Sequence, residues 1–177
     1  MRFKLLVPAL VCAVTAHAAL AGPDSKPYKP INNGQYAFED LGPWKEGDYT
    51  VPAYPDKPDW VGFYVPLKQD YKFFIDSKTL SIGQDDVVRY VLRVVSTSGA
   101  ENVSYEGIHC QGKEIRAYAF GDPDAKKWYE STRAQWKRLS GDDVSHLRLA
   151  ENFCSDDWRT PKDVTEALAR LKKAPWL

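Results

Sequence analysis

The sequence predicts an α+β domain: an antiparallel meander sheet of four to five strands with C-terminal helices packed on one face. Three observations carry this prediction. Val88, Tyr90, Leu92 and Val94 form an apolar row at even positions, interrupted by Arg89 and Arg93, which is the period-two mark of a strand. The pair Gln111-Gly112 separates two strand-like runs, and a two-residue turn fixes their register. Near the end, Thr160 can cap a helix, Pro161 suits its first position and Asp163 completes a capping box, ahead of an apolar stripe of Val164, Leu168 and Leu171.

In chain order, the first element is a secretory leader. Arg2 and Lys4 form its positive end, and Leu5 to Val14 form an apolar stretch that is too short for a bilayer, which needs roughly 20 helical residues. Ala16-His17-Ala18 and Ala19-Leu20-Ala21 offer cleavage after Ala18 or Ala21. A retained anchor is the competing reading, and the short apolar stretch disfavours it. Residues 1–21 are thus expected to be a signal peptide and residues 22–35 a flexible tether. Residues 36–177 are expected to form a single domain with a Pro/aromatic-rich extension. The mature chain is expected to carry no transmembrane span. Cys12 leaves with the leader, so Cys110 and Cys154 remain. In an oxidising compartment they form a bridge or stay as two buried thiols, and the compartment favours the bridge. It would close a loop of about 45 residues, worth roughly 4 kcal/mol on the chain-entropy model.

Residues 36–66 interleave aromatics (Tyr36, Phe38, Trp44, Tyr49, Tyr54, Trp60, Phe63, Tyr64) with prolines, which forbids a long helix or a central strand. This segment reads either as an extended strap anchored by its rings or as a ligand groove built from them. Strands are expected at Tyr71 to Asp76, Thr79 to Ile82, Val87 to Ser96, Glu101 to Cys110 and Lys113 to Phe120. The turn sets Ile108 opposite Ile115 and His109 opposite Glu114. Val103 and Tyr105 fall out of phase with Ile108 and Cys110, and a bulge at Gly107 would restore one buried face. Trp128, Thr132, Trp136 and Leu139 weakly fit a helical period, with an extended alternative open. A short helix is expected from Asp142 to Asn152.

The runs Val88-Arg89-Tyr90, Asn102-Val103-Ser104-Tyr105-Glu106-Gly107-Ile108-His109-Cys110 and Tyr118-Ala119-Phe120-Gly121 stand ahead of Trp128, Trp136 and Phe153-Cys154. Together they resemble the cryptic neisserial protein-like family of exported bacterial proteins, over roughly residues 38 to 158. The resemblance implies a bacterial envelope location, here read as the periplasm, and a Cys110–Cys154 pairing. It implies no established activity and no catalytic residues. His109 stands where the family leads one to expect a basic residue such as arginine.

Composition excludes some function classes. The 24 basic residues balance the 24 acidic ones, and losing Arg2 and Lys4 leaves the mature chain slightly acidic, so no nucleic-acid footprint is present. There is no nucleophile elbow, P-loop or dinucleotide fingerprint. The two remaining histidines, His109 and His146, are far apart, with no metal-ligand spacing. His146 reads as a surface helix residue. Asp85-Asp86, Asp142-Asp143 and Asp156-Asp157 read as turn and cap residues and not as calcium loops. No cofactor, metal or catalytic set is expected. The candidate binding residues are Arg89, Arg93, Glu106, His109 and Arg116, gathered on the sheet face away from the helices. That face reads either as a solvated set of charge pairs or as a surface for a glycan, another anionic ligand or an envelope protein. The function expected is a non-enzymatic periplasmic binding or accessory module. The alternative is a small envelope hydrolase using His109 with Glu106 or Glu114. If the strap folds over this face, the arginines become stacked structural residues, and their accessibility decides between the two.

Overall fold

The computed structural model describes residues 43–173. The expected signal peptide, the tether and residues 36–42 lie outside the described residues. The chain order is β1 (Trp60–Phe63), β2 (Tyr71–Asp76), β3 (Ser81–Ile82), β4 (Val87–Ser96), β5 (Glu101–His109), β6 (Glu114–Asp122), β7 (Lys127–Glu130), β8 (Lys137–Arg138), α1 (Val144–Phe153) and α2 (Val164–Lys173). The α+β class holds, but the sheet has eight strands and not four to five. Its main order is β1-β2-β4-β5-β6-β7, all antiparallel, with β3 added to β4 and β8 added to β6.

The turn after β5 sets the register that Gln111-Gly112 predicts: Ile108 faces Ile115, His109 faces Glu114, and Lys113 N–H donates to the Cys110 carbonyl at 3.1 Å. The segment from Trp128 to Leu139 is extended rather than helical. β7 and β8 each pair a different stretch of β6, so both must leave the helical path.

The largest departure concerns the faces of β5. Gly107 carries no bulge. The irregularity lies opposite, where Tyr105 faces Ala119 and Glu106 faces Ala117, leaving Tyr118 as the extra residue on β6. Gly107 has a different role: a Cβ there would stand 2.6 Å from Tyr118 Oη and 2.9 Å from Val87 Cγ1. Strand β5 therefore alternates without interruption, and Val103 and Tyr105 point away from the helices. They are buried because that second face is also covered. One core joins Val88, Tyr90, Leu92, Ile108 and Ile115 to Leu149, Ala150 and Phe153 of α1 and to Ala167 and Leu171 of α2. A second core joins Val91, Val103, Tyr105, Tyr118 and Ala119 to Val51, Tyr54, Trp60 and Trp128. The Tyr118 bulge moves Ala119 into this second core, although simple alternation would place it under the helices.

The helix starts are set by aspartates. Asp143 caps α1 by accepting from the His146 N–H at 3.3 Å. Asp163, not Thr160, caps α2, accepting from the Glu166 N–H at 2.8 Å. Thr160 instead donates to the Asp86 carbonyl at 2.9 Å and ties the helix lead-in to the turn before β4. Cys110 and Cys154 are disulfide-bonded, with Cα atoms 5.7 Å apart. The bond fixes the end of α1 to the β5–β6 turn. Replacing both cysteines by alanine is expected to cost about 2–5 kcal/mol of unfolding free energy. Urea unfolding of the double variant under oxidising conditions measures this, and a midpoint equal to wild type would refute it.

Candidate functional site

Two polar clusters lie on opposite faces of the sheet. On the face away from the helices, residues 43–59 form a strap across the strands. Its Glu46 carboxylate accepts from four side chains. Arg89 Nη2 at 3.1 Å and Tyr118 Oη reach one oxygen, and Arg116 Nη1 and Trp136 Nε1 (2.9 Å) reach the other. Burial alone would raise the Glu46 pKa, but the hydrogen bonds from Tyr118, Trp136 and Arg89 and the charge of Arg116 outweigh it and hold the group below the usual carboxylate range. Arg89 also binds Asp85 through both terminal nitrogens, at 3.1 and 2.5 Å. Asp85 in turn accepts from Gly47 N–H at 2.9 Å, and Trp44 Nε1 donates to its carbonyl at 2.8 Å. Tyr54 lies over Gly121, where a Cβ would meet the ring at 2.8 Å.

This arrangement relocates the predicted binding residues. Arg89 is buried at 5% exposure, while the side chains of Arg93 and Arg116 keep 26% and 22%. Arg93 pairs with Glu101 and lies over the Trp60 and Phe74 rings. Arg116 lies over Tyr49 and Tyr118. The face is therefore covered rather than open. His109 shares it, but as an aromatic plate: its ring stacks on Trp44 with centroids 3.9 Å apart, and both ring nitrogens are buried without a hydrogen-bond partner. Burial pulls its pKa below the ordinary histidine value despite the carboxylate of Glu114, 4.0 Å from Nδ1. Glu106 is not on this face. Paired with Tyr90, it points under α1, so His109 and Glu106 do not meet.

Under the helices, Glu106 accepts from Ser104 Oγ at 2.6 Å and Tyr90 Oη at 3.0 Å. The same carboxylate meets His146 Nε2 at 3.0 Å, and Asp143 meets Nδ1 of that ring at 2.6 Å. His146 is thus half-buried between two carboxylates and is not a surface residue. Burial alone would lower its pKa, but the charge of Glu106, hydrogen bonds to Asp143 and Glu106 and the charge of Asp143 push it up to about 10. The imidazolium is the state present at neutral pH. Both ring nitrogens are engaged, and among the described residues no group of three or more His, Cys, Asp and Glu side chains could hold a metal ion.

The His146 network forms one wall of a cleft of about 370 Å³. The cleft follows from the sheet edge. β7 pairs with Ala119–Asp122 and β8 with Glu114 and Ile115, so the chain between them leaves the sheet opposite the Tyr118 bulge. Ser131, Arg133 and Gln135 of that detour form the second wall, Ile115 and Ala117 line the cleft between the walls, and Lys137 and Phe120 complete it. Neither Arg133 nor Lys137 makes an ion pair among the described residues. The sequence signal for His146 is its spacing: an aspartate at a helix cap holds a residue three positions on. Glu46 carries no comparable signal, since nothing local marks its partners.

Fold and sites define a disulfide-bonded α+β domain with a sheet buried on both sides, one face by helices and the other by an irregular strap. The chain belongs to the CNP1-like family, whose family model matches residues 39–172. It is 26% identical over 185 residues to Cryptic neisserial protein 1 of Neisseria gonorrhoeae (strain ATCC 700825 / FA 1090), spanning 93% of this chain and 90% of that protein. No solved structure matches the chain.

Both clusters bear on stability. The folded-state pKa of His146 is raised from 6.5 to about 10, so the stabilisation by its proton is complete below about pH 6.5, fades above it and is gone beyond about pH 10. The stability difference between wild type and His146→Asn, measured by urea unfolding, should shrink across that window, and a difference independent of pH would refute the assignment. Glu46→Ala strands Arg116 and Tyr118 under the strap and is expected to cost about 3 kcal/mol at pH 7. Because the Glu46 pKa is depressed, that contribution is present above the ordinary carboxylate range and is lost as pH falls through the folded-state value. A cost at pH 7 below about 0.5 kcal/mol, the scatter of ordinary surface changes, would show that the cluster is not structural.

Proposed function

We propose that the protein is a non-catalytic binding module, exported to the bacterial periplasm, whose ligand is a sugar carrying a carboxylate. The observation that carries this reading is the charge arrangement of the cleft. Arg133 and Lys137 stand without ion-pair partners among the described residues on one side, and the Glu106–His146–Asp143 wall stands on the other. A ligand carboxylate suits the two cations, with arginine able to take it in a fork. Ligand hydroxyls suit the remaining lone pairs of Glu106 and Asp143 and the polar ends of Ser131 and Gln135. Phe120, half-exposed at the mouth, offers its ring to the apolar side of a sugar. The volume suits a small ligand.

A non-catalytic role is supported by the protonation state of the cleft. An imidazole that keeps its proton to about pH 10 is a poor general base at neutral pH. Chemistry at His109 has less support, because its ring is buried beneath Trp44 and lies on the opposite face of the sheet from Glu106.

Titration of the isotope-labelled mature protein with D-glucuronate, followed by amide NMR shifts, tests the proposal. Shifts are expected at Ser131, Arg133, Gln135, Lys137 and His146, weaker with neutral glucose and lost in the Arg133→Ala/Lys137→Ala double variant. Equal shifts with glucose, or none with glucuronate, would defeat it.

A further inference from the structure

The strap is bound as a ligand is bound. Among the described residues, residues 43–59 form no strand pairing with the sheet, and their one backbone-to-backbone hydrogen bond to the rest of the domain is at the last residue, where Ser77 N–H donates to the Asp59 carbonyl at 2.9 Å. The remaining anchors of the strap involve side chains: Trp44 on His109, Glu46 in its four-donor cradle, Gly47 on the Asp85 carboxylate, Tyr49 on Tyr118 and Tyr54 on Trp128. The cradle itself is built by β4, β6 and the residue before β8, and owes nothing to the strap. If the strap lifts, Val91, Val103 and Tyr105 lose their cover and the two arginines lose a carboxylate. The opened face needs a segment that supplies a tryptophan, a glutamate two residues later and a tyrosine three residues after that. Residues 44–49 of a second copy supply this spacing by identity.

The link between strap and sheet is the place where an exchange would hinge. The chain bends at Asp56-Lys57, between Pro55 and Pro58. The two prolines stiffen this link, fixing φ at Pro55 and Pro58 and disfavouring the helical region at Tyr54 and Lys57. The link is exposed at Asp56 and Lys57 and is held by two lysines: Lys78 Nζ donates to the Lys57 carbonyl at 2.5 Å, and Lys126 pairs with Asp56 at 3.1 Å through largely exposed side chains.

We propose that the strap exchanges between two copies of this chain, each Glu46 entering the Arg89–Arg116–Tyr118–Trp136 cradle of the other. The exchanged dimer remakes every strap contact, which makes it a low-cost symmetric assembly. It depends on the covered face and is independent of the cleft and its ligand.

Charge-swapped variants test this. In Glu46→Lys the strap is mismatched with its own cradle, and in Arg116→Glu the cradle is mismatched with its own strap. Across a mixed pair both matches are restored. The lysine introduced in one strap meets the glutamate introduced in the other cradle, and the native Glu46 meets an intact cradle. Native mass spectrometry of the mixed variants should show a one-to-one heterodimer at twice the monomer mass, while each variant alone stays monomeric. If either variant fails to fold, the same instrument applied to wild type answers the question. Isotope-labelled and unlabelled chains are mixed at high concentration, warmed to near the unfolding midpoint and cooled, and mixed-isotope dimers are expected. Monomers alone in these experiments would overturn the proposal. So would binding of a synthetic peptide of residues 43–54 by Glu46→Lys without any dimer of intact chains, which would make the cradle a peptide site rather than a contact between copies.

Discussion

Arg89 sits on the middle strand of the sheet under tyrosine rings, with Tyr49 at 5.5 Å and Tyr118 at 5.8 Å from its guanidinium carbon. A guanidinium there must bring anions with it, because an unpaired buried charge costs more than the surrounding packing returns. Asp85, four residues earlier, supplies one anion through the turn before β4. The other comes from Glu46, far away in sequence, and its arrival organises the whole face. To reach Arg89, the carboxylate must lie over the strands, and once there it collects Arg116, Tyr118 and Trp136. The strap that carries it brings Tyr49, Val51 and Tyr54 down on Val103 and Tyr105. The second core thus depends on one ionic requirement. Without the strap, β4 and β5 would expose large apolar side chains on the side away from the helices.

The helix face poses the same problem with the opposite sign. Glu106, directly across from Tyr90, points into the layer under α1 and is 4% exposed. Its cation comes from His146 on the first turn of α1, and the ring is steered by Asp143, the residue that also caps the helix. One aspartate therefore starts the helix and aims the imidazole, so the pairing follows from local geometry more than from a long-range search. The two buried charges differ in setting. Arg89 is closed in by the strap, whereas His146 stands beside a gap in the sheet edge.

Much of the frame is legible in the sequence because it rests on short-range signals. The alternation from Val87, the Gln111-Gly112 turn and the stripe of Val164, Leu168 and Leu171 each depend on residues a few positions apart, and the strands, register and helix they imply are present. What escapes is long-range. Val103 and Tyr105 look out of phase only if a single buried face is assumed, and the bulge at Gly107 repairs a conflict that a two-sided sheet does not have. The same assumption sends Glu106 to the wrong side. β1, β7 and β8 are only two to four residues long, below the length at which alternation can be read, and they take their conformation from the neighbouring strand. Glu46 is invisible for a different reason: a lone acid among prolines and aromatics has no periodic context, and its partners lie 43 to 90 residues away.

These two charge clusters also differ in how much of their hydrogen-bonding capacity is spent within the fold. On the strap face, both oxygens of Glu46 each take two donors, and Asp85 takes both terminal nitrogens of Arg89. A small anion from solution would find those donors already in use and would have to displace a covalently tethered competitor at high effective concentration. In the cleft the balance is reversed. His146 spends both nitrogens on Glu106 and Asp143, which keeps the wall rigid and charged, while Arg133 and Lys137 across the gap are solvated. A ligand of the proposed kind would displace water from those two cations and from the Phe120 ring. A carboxylate-binding role, as proposed, rests on those unspent donors opposite the charged wall. A saturated cradle can yield only to a segment that reproduces the strap itself.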